Sequence, residues 1–260
     1  MMLRIMCVLL LLGSWGHTLA RDINGGYPNH FPPFSIAQEQ VTGIIPDLLS
    51  AMNEYGGPRY YAAPYANNPV KLLSEGQLDF IFDSQRWSDN VEHYYWSEPI
   101  THISDILVVN KDSKINANSL DEFFALARAM PVRLGVKYMY VYPTLNEAMT
   151  NETLLRRNYY TEYALLDELK GAHGQVLDAV VMSRLVYQYL VLNNAEFANA
   201  FRILEFDVDS APYQFRFPKT RDGKLNWLFT NELISKLKSD GVIEGIVKTY
   251  VHTPQDSVTD

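Results

Sequence analysis

The chain has 260 residues, a formal charge of −8, 13% aromatic residues and one cysteine. No basic stripe or Lys/Arg cluster interrupts the acidic balance, which argues against nucleic acid and anionic membrane surfaces as partners. Cys7 falls in the leader described next, so the exported product holds no thiol nucleophile and no disulfide and must rely on its core.

Residues 1–20 read as a signal peptide: Arg4 is the positive start, Ile5 to Leu12 the apolar run, and Thr18-Leu19-Ala20 a small-residue cleavage site. The run is too short to span a bilayer, and no later segment is long enough. The mature product is expected to start near Arg21, exported and without membrane insertion. Its roughly 240 residues suffice for one large domain or two modest ones.

In chain order, a first strand is predicted near Asp22 to Asn24, ending at Gly25-Gly26. The loop Tyr27 to Ser35 holds Phe31 and Phe34 between prolines that fix its backbone. Pro46 to Tyr55 is a helix, Arg59 to Ala63 a strand, and Asn68 to Glu75 a helix. Asp105 to Asn110 reads as a buried strand, and Ser119 to Glu122 as a capping box before the apolar run Phe123 to Met130. Val132 to Val136 is a strand, Tyr138 to Pro143 a loop, and Thr144 to Glu147 the cap of the next helix. Thr161 to Leu169 and Ser183 to Leu192 are helices, while Phe201 to Phe206 and Tyr213 to Phe217 are two strands. Helices at Asn226 to Lys238 and Val242 to Val251 precede a tail at 253–260. Alternating short strands and helices indicate an α/β protein with mostly parallel sheets.

One phrase occurs twice. Gly76-Gln77-Leu78-Asp79-Phe80-Ile81-Phe82-Asp83-Ser84 is echoed by Gly174-Gln175-Val176-Leu177-Asp178-Ala179-Val180-Val181-Met182-Ser183. Each copy follows an amphipathic helix, breaks at glycine and runs into an apolar strand that stops at a small polar residue. That stop lies at the carboxyl end of a sheet strand, where open α/β sheets hold ligands. Two such units predict two similar lobes facing each other across a cleft, built to close on a small solute.

Four stretches, in order, resemble the bacterial periplasmic solute-binding proteins of the polar amino acid type. They are Phe31 to Ser35 with Gly43 and the helix from Pro46; Leu73 to Asp79 followed by Trp96-Ser97-Glu98-Pro99-Ile100; Gly171 to Val181; and Leu237 to Tyr250. The resemblance covers nearly all of the sequence after the leader. It implies an α/β, two-lobed type II periplasmic-binding-protein-like fold, with mostly parallel sheets flanked by helices. The first lobe would be residues 21–108 and 215–252, the second 109–214, and Asp105 to Asn110 and Tyr213 to Pro218 the two hinge strands. It further implies a monomer in the periplasm that passes its small-molecule ligand to an ABC permease. A sensing protein partnering a membrane receptor and a small-molecule dehydratase on the same fold are the alternatives.

The departures from the family pattern matter too. The family's carboxylate-binding Arg is absent from Ser88 to Glu92, its ammonium-binding Asp is replaced by Ser183, and its loop that donates hydrogen bonds to the ligand carboxylate falls on Met139-Tyr140-Val141. A buried charge without a partner is costly, so the expected ligand is not a standard amino acid but a solute with a ring or apolar face. The candidate ligand residues are Phe31, Phe34, Asp83, Ser84, Arg86, Trp87, Tyr138, Tyr140, Ser183 and Arg184. Arg86 stands in for the missing arginine or pairs with Asp83 or Asp89; Arg184 reads more readily as an exposed helix-start residue. The six histidines show no metal-ligand spacing, and no nucleophile, P-loop or dinucleotide motif is present. No catalytic residue, metal or cofactor is therefore expected.

Overall fold

The computed structural model describes residues 21–65, 68–138, 140–171, 174 and 176–251. The expected signal peptide and tail lie outside them, as do Met139 and Gln175. Among the described residues, nine strands form one mixed sheet flanked by helices: β1 (Ile23–Pro28), β2 (Tyr60–Tyr65), β3 (Phe80–Asp83), β4 (Tyr94–Trp96), β5 (Thr101–Asn110), β6 (Val132–Lys137), β7 (Leu154–Tyr159), β8 (Ala179–Ser183) and β9 (Phe201–Pro218). The helices are α1 (Ile44–Glu54), α2 (Pro69–Ser74), α3 (Leu120–Ala129), α4 (Pro143–Thr150), α5 (Glu162–Lys170), α6 (Arg184–Asn193), α7 (Arg221–Ser239) and α8 (Val242–Val251).

The strand order is β2-β1-β3-β9-β5-β8-β6-β7, with β4 paired to β9. It is symmetric about the β9·β5 pair. On one side β1 lies between β2 and β3, all parallel; on the other β6 lies between β7 and β8, all parallel. β3 meets β9, β8 meets β5, and β5 meets β9, each antiparallel.

The repeated phrase has a physical job in this arrangement. Gly76 (φ 70°) and Gly174 (φ 97°) take the left-handed turn that a side chain disfavours. The Asp that follows then fastens each incoming strand to its parallel neighbour. Asp79 accepts a hydrogen bond from the Asn24 amide at 2.8 Å and donates its own amide to the Asn24 carbonyl at 2.6 Å. Asp178 does the same with Arg133, at 2.8 Å and 3.0 Å. Arginines reinforce both: Arg21 reaches Asp79 at 3.1 Å and Arg133 reaches Asp178 at 2.6 Å.

Two buried clusters fill the interior. β5 feeds both by alternation: Ile106 and Val108 enter the larger cluster, Leu107 and Val109 the smaller. That alternation buries the strand on both faces. An aromatic column runs through the larger cluster, with Phe82 4.5 Å from Phe215 and 6.0 Å from Tyr213.

Several elements differ from the sequence reading. β9 is one strand of 18 residues where two were expected, because the polar stretch Asp207-Val208-Asp209-Ser210 keeps pairing with β5 across a bulge. β7, with Arg156, Arg157 and Asn158, lacks an apolar signature because it lies at the end of the strand order. α4 starts at Pro143 without a side-chain cap, so Thr144 is inside the helix rather than its cap. At α3 the Ser119 hydroxyl accepts from the Glu122 amide as expected, but Glu122 returns the bond to the Asn118 amide, one residue earlier than a capping box requires.

Burial alone would raise the Asp178 carboxyl; the hydrogen bonds and charge of Arg133 outweigh it and hold the group below the ordinary aspartate range. A depressed carboxylate contributes stability above its unfolded pKa and loses it as pH falls through the folded value. Asp178→Ala is expected to cost about 1–3 kcal/mol in urea unfolding at pH 7, with the difference from the parent shrinking below about pH 4.

Candidate functional site

Between the two parallel sets of strands lies a cavity of about 290 Å³, near the lower end of the roughly 300–1,000 Å³ common for small-molecule sites. Both halves build it. Phe31, Asp83 and Trp87 come from one; Lys137, Tyr140, Glu162 and Ser183 from the other; Asp105 and Tyr213 from the central strands β5 and β9. The two polar stops of the repeated phrase, Asp83 and Ser183, therefore face the same space from opposite sides.

The structure brings five of the ten candidate residues to this wall: Phe31, Asp83, Trp87, Tyr140 and Ser183. It places the others elsewhere. Phe34 is fully buried behind Phe31, stacked on it at 5.0 Å with an edge contact to Tyr213 at 4.9 Å. Ser84 is also fully buried, its hydroxyl accepting from the Arg86 amide at 3.2 Å. Tyr138 packs against Tyr160 at 5.1 Å, away from the lining. Arg86 pairs with Asp209 at 2.7 Å, and Arg184 with Asp207 at 2.6 Å. Neither arginine lines the cavity, and neither alternative partner considered for Arg86 is its ion-pair partner.

Asp83 is saturated. Its carboxylate accepts from the Ser84 amide at 2.7 Å, the Ser88 hydroxyl at 2.6 Å and the guanidinium of Arg216 at 2.7 Å. Arg216 is itself 3% exposed and lies 3.7 Å from the centre of the Tyr94 ring. Lys137 and Glu162 form a second pair at 2.6 Å, and the Lys137 ammonium lies 4.7 Å from the Tyr140 ring centre. Burial works against that ammonium, but Tyr140 and Glu162 outweigh it and the net shift is upward, so the lysine is charged at neutral pH.

Three charged residues of the wall were missed in the sequence. Lys137 ends β6 as Asp83 ends β3, so the carboxyl-end rule that found Asp83 reaches it too. Glu162 opens α5, where a carboxylate is ordinary helix-dipole chemistry. Asp105 lies inside β5 and carried no signal beyond being polar beside an apolar run.

No protein-family model matches the chain, and no curated protein matches it. Solved structures do. A histidine kinase sensor domain with similarity to periplasmic binding proteins is 16% identical, with 90% of this chain and 97% of that one covered and a TM-score of 0.68. An ancestral cationic amino acid solute binding protein is 19% identical, covering 88% and 95%, with a TM-score of 0.67. The arginine-, lysine-, histidine-binding protein ArtJ from Geobacillus stearothermophilus is 19% identical, covering 92% and 100%, with a TM-score of 0.64. The chain thus has the fold of the periplasmic binding proteins. No helix among the described residues is long and apolar enough to cross a membrane.

These likenesses correct the expectation of a ligand other than a standard amino acid: proteins named for binding amino acids share this fold over nearly the whole chain. The physical reason is that the exclusion searched only the family's usual positions for anchors. Charges of both signs reach the cavity from other places, as Lys137, Glu162 and Asp105.

Burial separates two aromatics that looked alike in sequence. Phe34→Ala should lower stability by about 3–5 kcal/mol in denaturant unfolding of the unliganded protein. Trp87, 44% exposed on the rim, should tolerate Ala within about 0.5 kcal/mol in the same measurement.

Proposed function

We propose that this chain is a periplasmic solute receptor whose cleft takes one amino acid, delivering it to an ABC-type importer. The observation that carries this reading is the Lys137–Glu162 pair on the cavity wall, flanked by Tyr140. A zwitterion presents the complementary pair of charges, so an α-carboxylate set against Lys137 and an α-ammonium against Glu162 replace one ion pair by two. Phe31 and Tyr140, whose rings lie 5.6 Å and 4.7 Å from the lysine nitrogen, cover the apolar part of such a ligand. The role is binding, not catalysis.

In this reading residues 21–108 with 215–252 form one lobe and 109–214 the other, and the middle of the β5·β9 pair is the hinge. The mirrored strand orders support that division. Trp87 and Tyr140, on opposite walls, approach each other as the lobes close, and closure is a shift in population toward a liganded form. A second reading, a sensor that presents its closed form to a membrane receptor, rests on the likeness to the histidine kinase sensor domain.

A thermal-shift screen of the twenty L-amino acids tests the proposal. A ligand at one hundred times its Kd adds about 2.7 kcal/mol, so at least one amino acid is expected to raise the melting temperature clearly. Lys137→Met should weaken that ligand by tenfold or more in calorimetric titration. A flat response to every amino acid would overturn the reading.

A further inference from the structure

A cluster of charges on β5 and β9 remains unexplained by a zwitterion-binding pair. Asp105 on β5 is directly opposite Asp209 on β9, and the next pair is Ile106 with Asp207 across the bulge at Val208. Three carboxylates therefore crowd one stretch of the central strands, and like charges facing each other across strands are destabilising. Two are neutralised from outside the cavity: Arg86 holds both oxygens of Asp209 at 2.7 and 2.8 Å, and Arg184 holds Asp207 at 2.6 Å. Asp105 has no ion-pair or hydrogen-bond partner among the described residues, and it lines the cavity.

Two further hydroxyls of the cavity wall have no hydrogen-bond partner among the described residues. The Ser183 hydroxyl belongs to a residue 7% exposed, opposite Asp105 on β8, and has no hydrogen-bond partner. The Tyr213 hydroxyl, on a residue 2% exposed, has none either. Both residues line the cavity. Ser183 is thus the direct cross-strand neighbour of the unpaired carboxylate, and Tyr213 lines the same cavity, so this wall offers an anion and two hydroxyls to a donor that the described residues do not supply.

We infer that Asp105 is the specificity-determining residue of the cavity: it receives the cationic side-chain group of the ligand, with Ser183 opposite it on β8, so that the ligand is a basic amino acid. This rests on the proposed amino-acid function, with Lys137 and Glu162 engaging the α-groups. The charges agree. Lys137 cancels Glu162 and Arg216 cancels Asp83, leaving Asp105 as the uncompensated negative charge of the wall. A neutral amino acid would leave it so.

A pH dependence follows. The Asp105 carboxyl is raised to about 7 by burial, then by Asp209 and Asp207. Of its other neighbours, Tyr140 and Tyr142 have raised phenols that stay protonated in this range, Lys137 stays charged, and Ser183 and Tyr213 carry no charge. The empty cavity thus holds Asp105 protonated below about pH 7, and a bound cation favours the anion and expels the proton. Affinity for a basic ligand therefore rises with pH through this window and levels off above it.

The experiment compares isosteres on the purified protein by calorimetry: L-arginine with L-citrulline, and L-lysine with L-norleucine. At least one basic member should bind tenfold or more tighter than its neutral counterpart. Its Kd should fall by about tenfold or more from pH 5.5 to 7.5. Asp105→Asn should erase both the preference and the slope, while Ser183→Ala should weaken binding and keep the slope. Equal affinity within both pairs, or a preference that survives in Asp105→Asn, would overturn the inference and leave amino-acid binding intact. Failure of every amino acid to bind would overturn both. Should Asp105→Asn not fold, the isostere preference and pH slope of the parent protein decide the matter.

Discussion

Charge compensation across β5 and β9 is the constraint on which the site depends. Asp105, Asp207 and Asp209 are carried by neighbouring strands at the centre of the sheet, where three exposed-type side chains are out of place. Arg86 and Arg184 reach in from opposite halves to hold Asp209 and Asp207. An arginine hydrogen-bonded to a carboxylate is a charge-assisted contact, so each pair also ties down the segment that bears it. Arg86 anchors the turn after β3, and Arg184 the start of α6. The turn carrying Trp87 and the strand end carrying Ser183 are thereby positioned by groups that never touch the cavity. Thr144 on α4 adds a third tie, its hydroxyl 3.4 Å from Asp209.

The same compensation explains why the two arginines looked like ligand groups in the sequence. Each follows the polar stop of a repeated strand, where a binding residue is expected. Proximity along the chain gave their location but not their partner, since Asp209 is 123 residues from Arg86 and falls in a stretch that reads as a polar break between two strands. That break is in fact the bulged middle of β9. The error in the strand assignment and the error in the arginine assignment thus have one source: a polar run continuing a ladder because its carboxylates have cationic partners from elsewhere.

What was legible rests on local, repeated constraints. The repeated phrase could be read because its glycine and aspartate act within a short reach, on the turn they make and the strand they enter beside. Asp79 and Asp178 grip equivalent neighbours in the two halves, so the sequence echo and the mirrored strand order are one fact. Asp83 and Ser183 were legible on the same ground. Asp105, Lys137 and Glu162 were not, because their significance depends on which strands become neighbours. Phe31 and Phe34 differ for a similar reason. They share a loop and a stack, and only the position of Tyr213, far along the chain, decides that one faces the cavity and the other the core.

A site of this kind is held at a cost. Among the described residues, the Ser183 and Tyr213 hydroxyls have no partner and Asp105 has no counterion. A sequence selected for stability alone would favour apolar groups of similar shape there, which remove the desolvation penalty. Asp83 shows that the chain readily supplies partners where a carboxylate is structural, since Ser84, Ser88 and Arg216 all serve it. The contrast between a saturated aspartate and an unsatisfied one in the same cavity sorts scaffold from site. In the proposed role, the groups without a protein partner are those that a cationic ligand would serve.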